Sequence, residues 1–583
     1  MRCRGGNRGA GVLGMVFWAL VAGHCASVFG QSTEPPLSTF FAPLEVPLVS
    51  VDVYVADRQG RPIPGLDIDD FHLFEDGQPV GISHFYAAAG VTGPVDSPDI
   101  GPPAAGPVDA TPGSPNQDIF LVVFFDDTNL SRSRRRSAVD HIERFFQTNF
   151  PPGFKVMIIA YDGRIQVLQP FTSDIAEATT ALADANHRAS LSLSTEQEGL
   201  INEMERTRAM AAASPAQAES ILLNSGSAIY QQIQSYADQS EHRIRTSCAS
   251  LQKIFRSLSG LDGRKALLLV SDGVEPRPGE RLFRQWAETF GSEPMWEIQA
   301  RQAFNQAIQY DVTDAFVDVS QSANGHRVTL YTLTSISGIN NRAISAEYRL
   351  MDEGRLSVIQ GMSEDVLKTN LAATTGGRPL ENSPALGDQL TEVAAELGSY
   401  YSLAYRPDHV GDGKYYRIKV DVEVDHAQIR HREGYYDTPQ SDRIDSRTLA
   451  AAIHGIAQNP MGIQVHTFAA TPRDDGTFLV PILVVVPIGE LVLVPAANEH
   501  QGRISIHLAV RDEEGGLSDL QRIEYPIPVP NDQLGTALGR TVGFTVRLGV
   551  RRGNQRIAVG VLDEIGRTES VVALEVNPEG AGG

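Results

Sequence analysis

Cysteine is scarce in this sequence: Cys3, Cys25 and Cys248 are the only three among 583 residues. Two of them fall in an N-terminal segment that reads as a leader. The remaining chain therefore has one thiol and no intramolecular disulfide, and its stability has to come from packing. Basic residues are also few, with 49 Lys and Arg against 71 Asp and Glu and a net charge of -22. No basic block offers a surface that could track a phosphate backbone, so nucleic acid is not an expected partner. Long apolar runs are missing as well. Residues 11–22 are too short for the roughly 20 residues of a membrane-spanning helix. The run at 478–495 is broken by Pro481, Pro487, Gly489 and Glu490, and its Val-rich character fits two buried strands better than a span, so no transmembrane segment is expected in the mature chain. Enzyme signatures are absent too: beyond the leader there is no G-x-S-x-G, H-E-x-x-H, P-loop or G-x-G-x-x-G pattern. His141, His187, His242 and His326 are scattered without ligand spacing, and the chain reads as a non-enzyme.

What is present begins with an address. Arg2, Arg4 and Arg8 precede an apolar core, and Val28-Phe29-Gly30 forms a small-residue cleavage site before Gln31. This is the layout of a Sec signal peptide over 1–30, so a periplasmic or extracellular location is expected. Residues 31–90 contain an alternating β segment with Val51, Val53 and Val55 on one face. A Pro/Gly-rich linker follows over 91–117. From Asp118 strands alternate with helical stretches: a continuous apolar run at 119–125, a helix near 134–148, and a hairpin at Asp162-Gly163. A long helical insertion at 195–258, further strands at 265–270 and 328–333, and further helices at 366–372 and 385–397 complete the series. That order predicts a doubly wound, Rossmann-like α/β domain over 118–398. Residues 399–440 return to strands and are expected to pair with the N-terminal β segment, since neither piece alone can bury a core. The C-terminal part, 441–583, reads as a β-sandwich-like domain, with 446–580 all-β.

Two polar loops stand where doubly wound sheets bind ligands, at the C-terminal ends of buried strands. One is Asp126-Asp127-Thr128-Asn129-Leu130-Ser131, and the other is Ser271-Asp272-Gly273. Carboxylates and hydroxyls converging from two loops make an all-oxygen set suited to a hard divalent cation. This pattern resembles a von Willebrand factor type A domain, whose metal-ion-dependent adhesion site joins a strand-end D-x-S-x-S to a loop Thr and a later Asp. In one register Asp127, Asn129 and Ser131 fill D-x-S-x-S, with Asn in place of the first Ser. In the other, Asp126 and Thr128 match but Leu130 takes the last position. The first register keeps an oxygen ligand at every position. Asp272 matches the later Asp, and Thr195 is the choice for the loop Thr.

A narrower resemblance covers about 400 residues, to the secreted VWFA-related proteins found mainly in Acidobacteria. It is carried by the order of Glu75-Asp76-Gly77, Gly263-Arg264-Lys265-Ala266-Leu267, Ser271-Asp272-Gly273, Thr375-Gly376-Gly377, Tyr405-Arg406-Pro407 and Gly434-Tyr435-Tyr436. Together the resemblances imply a VWA domain flanked by β-sandwich domains. They also imply an exported adhesion protein whose Mg²⁺ (or Mn²⁺ or Ca²⁺), held by Asp127, Asn129, Ser131, Asp272 and Thr195, is completed by an acidic side chain of a protein partner. The alternative is a metal-independent envelope scaffold or assembly factor with a degenerate metal site.

Plainer readings stand beside these. Strand-end acids also cap the following helix, and Asp272-Gly273 alone is a turn. Arg132, Arg134, Arg135 and Arg136 read as a solvated helix face or as a contact for an acidic partner. Tyr400, Tyr401, Tyr405, Tyr435 and Tyr436 fit cross-strand packing before a carbohydrate platform. Cys248, flanked by Ile244, Leu251, Ile254 and Phe255, reads as a buried structural thiol.

Overall fold

A computed structural model describes residues 48–88, 118–190, 194–272, 275–291, 293–334, 370–513 and 515–580. The leader at 1–30, the linker at 91–117, Gly273 and part of the helix expected at 366–372 lie outside the described residues.

Four short strands come first: β1 (Val49–Ala56), β2 (Phe71–Glu75), β3 (Gln78–Val80) and β4 (His84–Ala87). The turn from β2 to β3 is Asp76-Gly77, at φ 45° and 80°. A two-residue hairpin turn of this kind needs positive φ at both central positions, which the Asp-Gly pair supplies.

The α/β part follows. β5 (Ile119–Asp126) has seven of its eight residues buried, as a strand covered on both faces requires. Then come α1 (Arg132–Asn149), β6 (Phe154–Tyr161), β7 (Ile165–Thr172), α2 (Ile175–His187), α3 (Ser194–Ala213), α4 (Ala218–Leu258) and β8 (Arg264–Val270). The series closes with α5 (Glu280–Phe290), α6 (Glu297–Ile308), α7 (Thr313–Gly325), β9 (Val328–Thr334), β10 (Pro379–Glu381) and α8 (Leu386–Gly398). The sheet runs β10-β9-β8-β5-β6-β7, parallel throughout except for β7, which turns back against β6 through Asp162-Gly163. One face is covered by α1, α2 and α8 through residues such as Ile142, Phe146, Leu182 and Leu390. The other is covered by α7 and the second half of α4 through Ile244, Leu251, Phe255 and Val319. Strand order reverses between β5 and β8, so the loops after these two strands flank the crevice where open α/β sheets take ligands.

The helical insertion consists of two helices, α3 and α4. Ser214-Pro215 breaks it, because proline lacks the N–H that would continue α3. Together α3, the first half of α4, α5 and α6 bury a separate core around Met204, Ile229, Tyr230, Phe283 and Trp286. Trp286 Nε1 donates to the Gly226 carbonyl at 2.8 Å. Gly226 also admits the Trp296 ring, whose atoms would stand 3.1–3.2 Å from a Cβ at that position.

After α8 the chain returns to strands: β11 (Tyr401–Tyr405), β12 (Tyr415–Val422), β13 (Gln428–His431) and β14 (Gly434–Tyr436). β1 pairs antiparallel with β11 and β13, and β2 pairs antiparallel with β12. The two sheets, β13-β1-β11-β4 and β14-β12-β2-β3, enclose Val51, Val53, Phe71, Leu73, Tyr401 and Leu403. Tyr401 and Tyr405 are fully buried, so they pack the core and do not form an exposed platform.

The C-terminal part departs from an all-β reading in the short helix Leu534–Ala537 and in a longer one. Residues Gln440–His454 form a helix, α9, closed by Gly455 at φ 72°. Its Ile444, Thr448, Ala451 and Ala452 recur at helical spacing and lie buried against Ala509, Ala558 and Leu562 of the sandwich. Two further antiparallel sheets follow and face each other across Val480, Ile482, Ile504, Ile506, Val546 and Val559. Among the described residues their strand Gln521–Pro530 pairs with one neighbour only, and Pro526, Pro528 and Pro530 occur on it, which is where a sheet tolerates proline. The 478–495 run forms the strand Phe478–Pro487, a short turn at Ile488–Glu490 and the strand Val494–Pro495. Among the described residues no helix is long and apolar enough to cross a membrane.

Candidate functional site at the sheet edge

β5 ends on Asp126, whose side chain turns toward α4. It accepts from Thr128 N at 3.2 Å, Thr128 Oγ1 at 2.5 Å, Asn129 Nδ2 at 2.9 Å and Ser247 Oγ at 3.4 Å. Burial pushes its carboxyl up, against the pull of those donors. Asp126 is thus enclosed within the fold and satisfied there.

Asp127 turns the other way and meets two guanidinium groups. Arg135 Nη2 lies 2.7 Å from Oδ1 and Arg188 Nε 2.6 Å from Oδ2. The Asp127 and Arg135 side chains are 1% and 0% exposed, so this pair is sealed from water. Burial pushes the Asp127 carboxyl up, opposed by the Arg188 hydrogen bond and the charges of both arginines. Arg188 spans further, donating to Gln166 Oε1 at 2.9 Å and Asp162 Oδ2 at 2.9 Å on the β6–β7 hairpin. Arg135 donates to the carbonyls of Arg188 and Ala189, which ties α1 to the loop after α2.

The other expected ligands are engaged in holding the two loops together. Asn129 gives its amide N–H groups to Asp126 and Thr128, and its backbone carbonyl accepts from Asp272 N at 2.7 Å. Ser131 is the residue preceding the first turn of α1, and its backbone N–H donates to Asp272 Oδ2 at 2.8 Å. Arg134 Nη1 stands 3.6 Å from Asp272 Oδ1 and donates to the Asp272 carbonyl at 3.2 Å. Thr195 falls in the first turn of α3, and its side chain lies outside the described residues. The structure therefore brings Asp127, Asn129, Ser131 and Asp272 to one sheet edge.

As placed, these residues do not fit a hard divalent cation. Asp127 Oδ1 and Asp272 Oδ1 are buried without a hydrogen-bond partner among the described residues, but both oxygens of Asp127 lie within ion-pair distance of a guanidinium, and Arg134, Arg135 and Arg188 surround the position with cations that would repel another. A shallow depression beside them is lined by Leu130, Arg134, Ser271, Asp272, Leu333 and Asn382.

Arg188 was missed by sequence reasoning, and Arg135, read with its neighbours as part of a solvated helix face, is instead fully buried. The signal for Arg135 was legible: it lies three, four and seven residues before Ala138, Val139 and Ile142, on the buried stripe of α1. Nothing local marked Arg188, which reaches Asp127 from 61 residues away.

No known protein family matches the chain, and no curated protein does. Solved structures that resemble parts of it include a Northeast Structural Genomics Consortium target, 10% identical, covering 21% of this chain and 90% of that one at a TM-score of 0.15. Another is the three N-terminal domains of the type V pili tip protein Mfa5 from Porphyromonas gingivalis. It is 11% identical and covers 88% of this chain and 78% of that one at a TM-score of 0.21. Likenesses this low carry no argument about function.

Proposed function

We propose that the chain is an exported, non-enzymatic binding or scaffold protein built on a VWA-like α/β domain, and that its sheet edge works without a metal ion. The observation that carries this reading is the pairing of both Asp127 oxygens with Arg135 and Arg188. In a metal-dependent adhesion site the strand-end Asp faces a cation, and a partner carboxylate completes the cation's shell. Here the guanidinium groups supply the positive charge, and Asp272 fixes the start of α1. The strand order, with one antiparallel edge strand, supports the VWA-like reading. Arg134, 44% exposed at the rim of the depression, is placed to meet an acidic partner side chain directly. Arginine suits that task, since its planar fork matches a carboxylate.

Calorimetric titration of residues 31–583 with Mg²⁺, Mn²⁺ and Ca²⁺ tests the reading, beside Asp127→Ala and Asp272→Asn with circular dichroism to confirm folding. The expected outcome is no binding event that depends on either residue. One ion per chain, lost in both folded variants, would instead establish the metal-dependent adhesion site.

A further inference from the structure

A second polar cluster lies away from the sheet edge, in the β-sandwich formed by β1–β4 and β11–β14. We propose that His409, Asp412 and Asp437 bind one transition-metal ion of the Zn²⁺ or Co²⁺ class. One ligand atom from each lies within 4.8 Å of the other two, close enough for a single ion to bridge them. An imidazole with two carboxylates is the donor set of borderline divalent metals, in contrast to the all-oxygen set at the sheet edge.

The surroundings orient each ligand. His409 Nδ1 faces Asp437 Oδ2 at 2.9 Å, while its Nε2 stands 3.3 Å from Glu75 Oε1. A carboxylate behind the far ring nitrogen is the usual partner of a metal-bound histidine, fixing tautomer and ring direction. Glu75 is itself held by the hydroxyls of Tyr405 and Tyr435. Tyr416 stacks on the His409 ring at 3.6 Å and 5° and donates to Asp412 Oδ2 at 2.8 Å, so one side chain positions two ligands. The loop between β11 and β12 is closed onto Asp437 by Gly413 N to the Asp437 carbonyl and Asp437 N to the Lys414 carbonyl, each at 2.9 Å.

Charge points the same way. Glu75, Asp412 and Asp437 bring three carboxylates together, with the Glu75 and Asp437 side chains only 12% and 11% exposed. Lys414 reaches Asp412 at 2.9 Å but is 74% exposed, where its charge is largely screened. A bound divalent ion would balance the remaining negative charge. The Asp412 side, 27% exposed, leaves its fourth position open to water or a partner's ligand.

The test is Co²⁺ titration of residues 31–583 read by visible d–d absorption, with Zn²⁺ competition, on wild type, His409→Phe, Asp437→Asn, Tyr416→Phe and Asp127→Ala. His409→Phe keeps a ring to stack on Tyr416 while removing the ligand, so its circular dichroism and melting should stay near wild type. The expected result is one Co²⁺ per chain, displaced by Zn²⁺, lost in His409→Phe and Asp437→Asn, and weakened about 10-fold in Tyr416→Phe. Asp127→Ala should leave it unchanged, which keeps this site separate from the reading of the sheet edge. No Co²⁺ spectrum in wild type, or a spectrum that survives His409→Phe and Asp437→Asn, would overturn the proposal and leave the cluster as an imidazolium held between two carboxylates.

Discussion

Arg135 lies one helical turn beyond Ser131, and its fully buried guanidinium sits 2.7 Å from Asp127 at the end of the central strand. Two ions taken out of water together are held by each other, and removing one strands the other. Asp127→Ala should therefore destabilise the fold by roughly 3–5 kcal/mol in urea unfolding. Arg188→Ala should cost less, because Arg188 is 20% exposed and leaves the Asp127–Arg135 pair in place. Equal losses from the two substitutions would contradict this ordering of the network.

Acid should loosen the attachment of α9 through His454. Burial pushes its imidazole down to about 4, its ring packs on Phe171 with centroids 5.2 Å apart, and Nε2 is buried with no hydrogen-bond partner among the described residues. The unfolded chain takes up this proton near pH 6.5 and the folded chain does not until about pH 4. The contribution is thus fully present above pH 6.5, falls as pH drops toward 4, and amounts to at most about 3 kcal/mol. Urea midpoints at pH 7 and pH 4.5 should separate more for wild type than for His454→Leu. An equal separation would show that His454 is not the group responsible.

Cys248 should be chemically silent in the folded protein. It is 4% exposed, and its thiol is pushed up to about 12, first by burial and then by the negative charge of Asp126. The reactive thiolate is therefore scarce at pH 8. In residues 31–583 a thiol reagent such as DTNB should give no colour with native protein and one equivalent in urea. Rapid labelling of the native state would mean that α4 opens from the sheet.

Gly377 should tolerate no side chain. A Cβ there would stand 1.9 Å from the Leu330 carbonyl oxygen, where β9 meets the chain leading into β10. Thr375 Oγ1 accepts the Leu330 N–H at 2.9 Å next to it, so the backbone cannot retreat without losing that bond. Gly377→Ala should lower stability by at least about 3 kcal/mol, or block folding outright. Gly387→Ala on α8, where nothing lies within 4 Å of the new Cβ, should be neutral or gain up to about 1 kcal/mol. Similar melting temperatures for the two variants would sink the argument.

Much of the secondary structure is written in local pattern. The apolar run at β5, the Asp162-Gly163 turn and the helical periodicity of α1 and α8 are properties of neighbouring residues, so period and turn chemistry are enough to place them. The mixed α/β class and its additional β-rich parts follow from their order. α9 was also within reach, since Ile444, Thr448 and Ala451 recur at helical spacing before Gly455. Its alanines and threonine gave a weaker hydrophobic signal than the Val-rich strands around them.

The sequence by itself determined which residues stand at the sheet edge: a polar loop after a buried strand puts Asp127, Asn129 and Ser131 there, and a second such loop adds Asp272. Only the tertiary structure decided what meets them. Arg188 comes from a loop 61 residues beyond Asp127, and Arg135 from the inward face of a helix whose other arginines, Arg132, Arg134, Arg136 and Arg144, are not buried. Likewise Glu75 meets His409 across more than 300 residues of chain. Such pairings depend on strand order and helix docking, which composition and spacing do not encode, because an ion pair is chosen by distance in space and periodicity reports only neighbours along the chain.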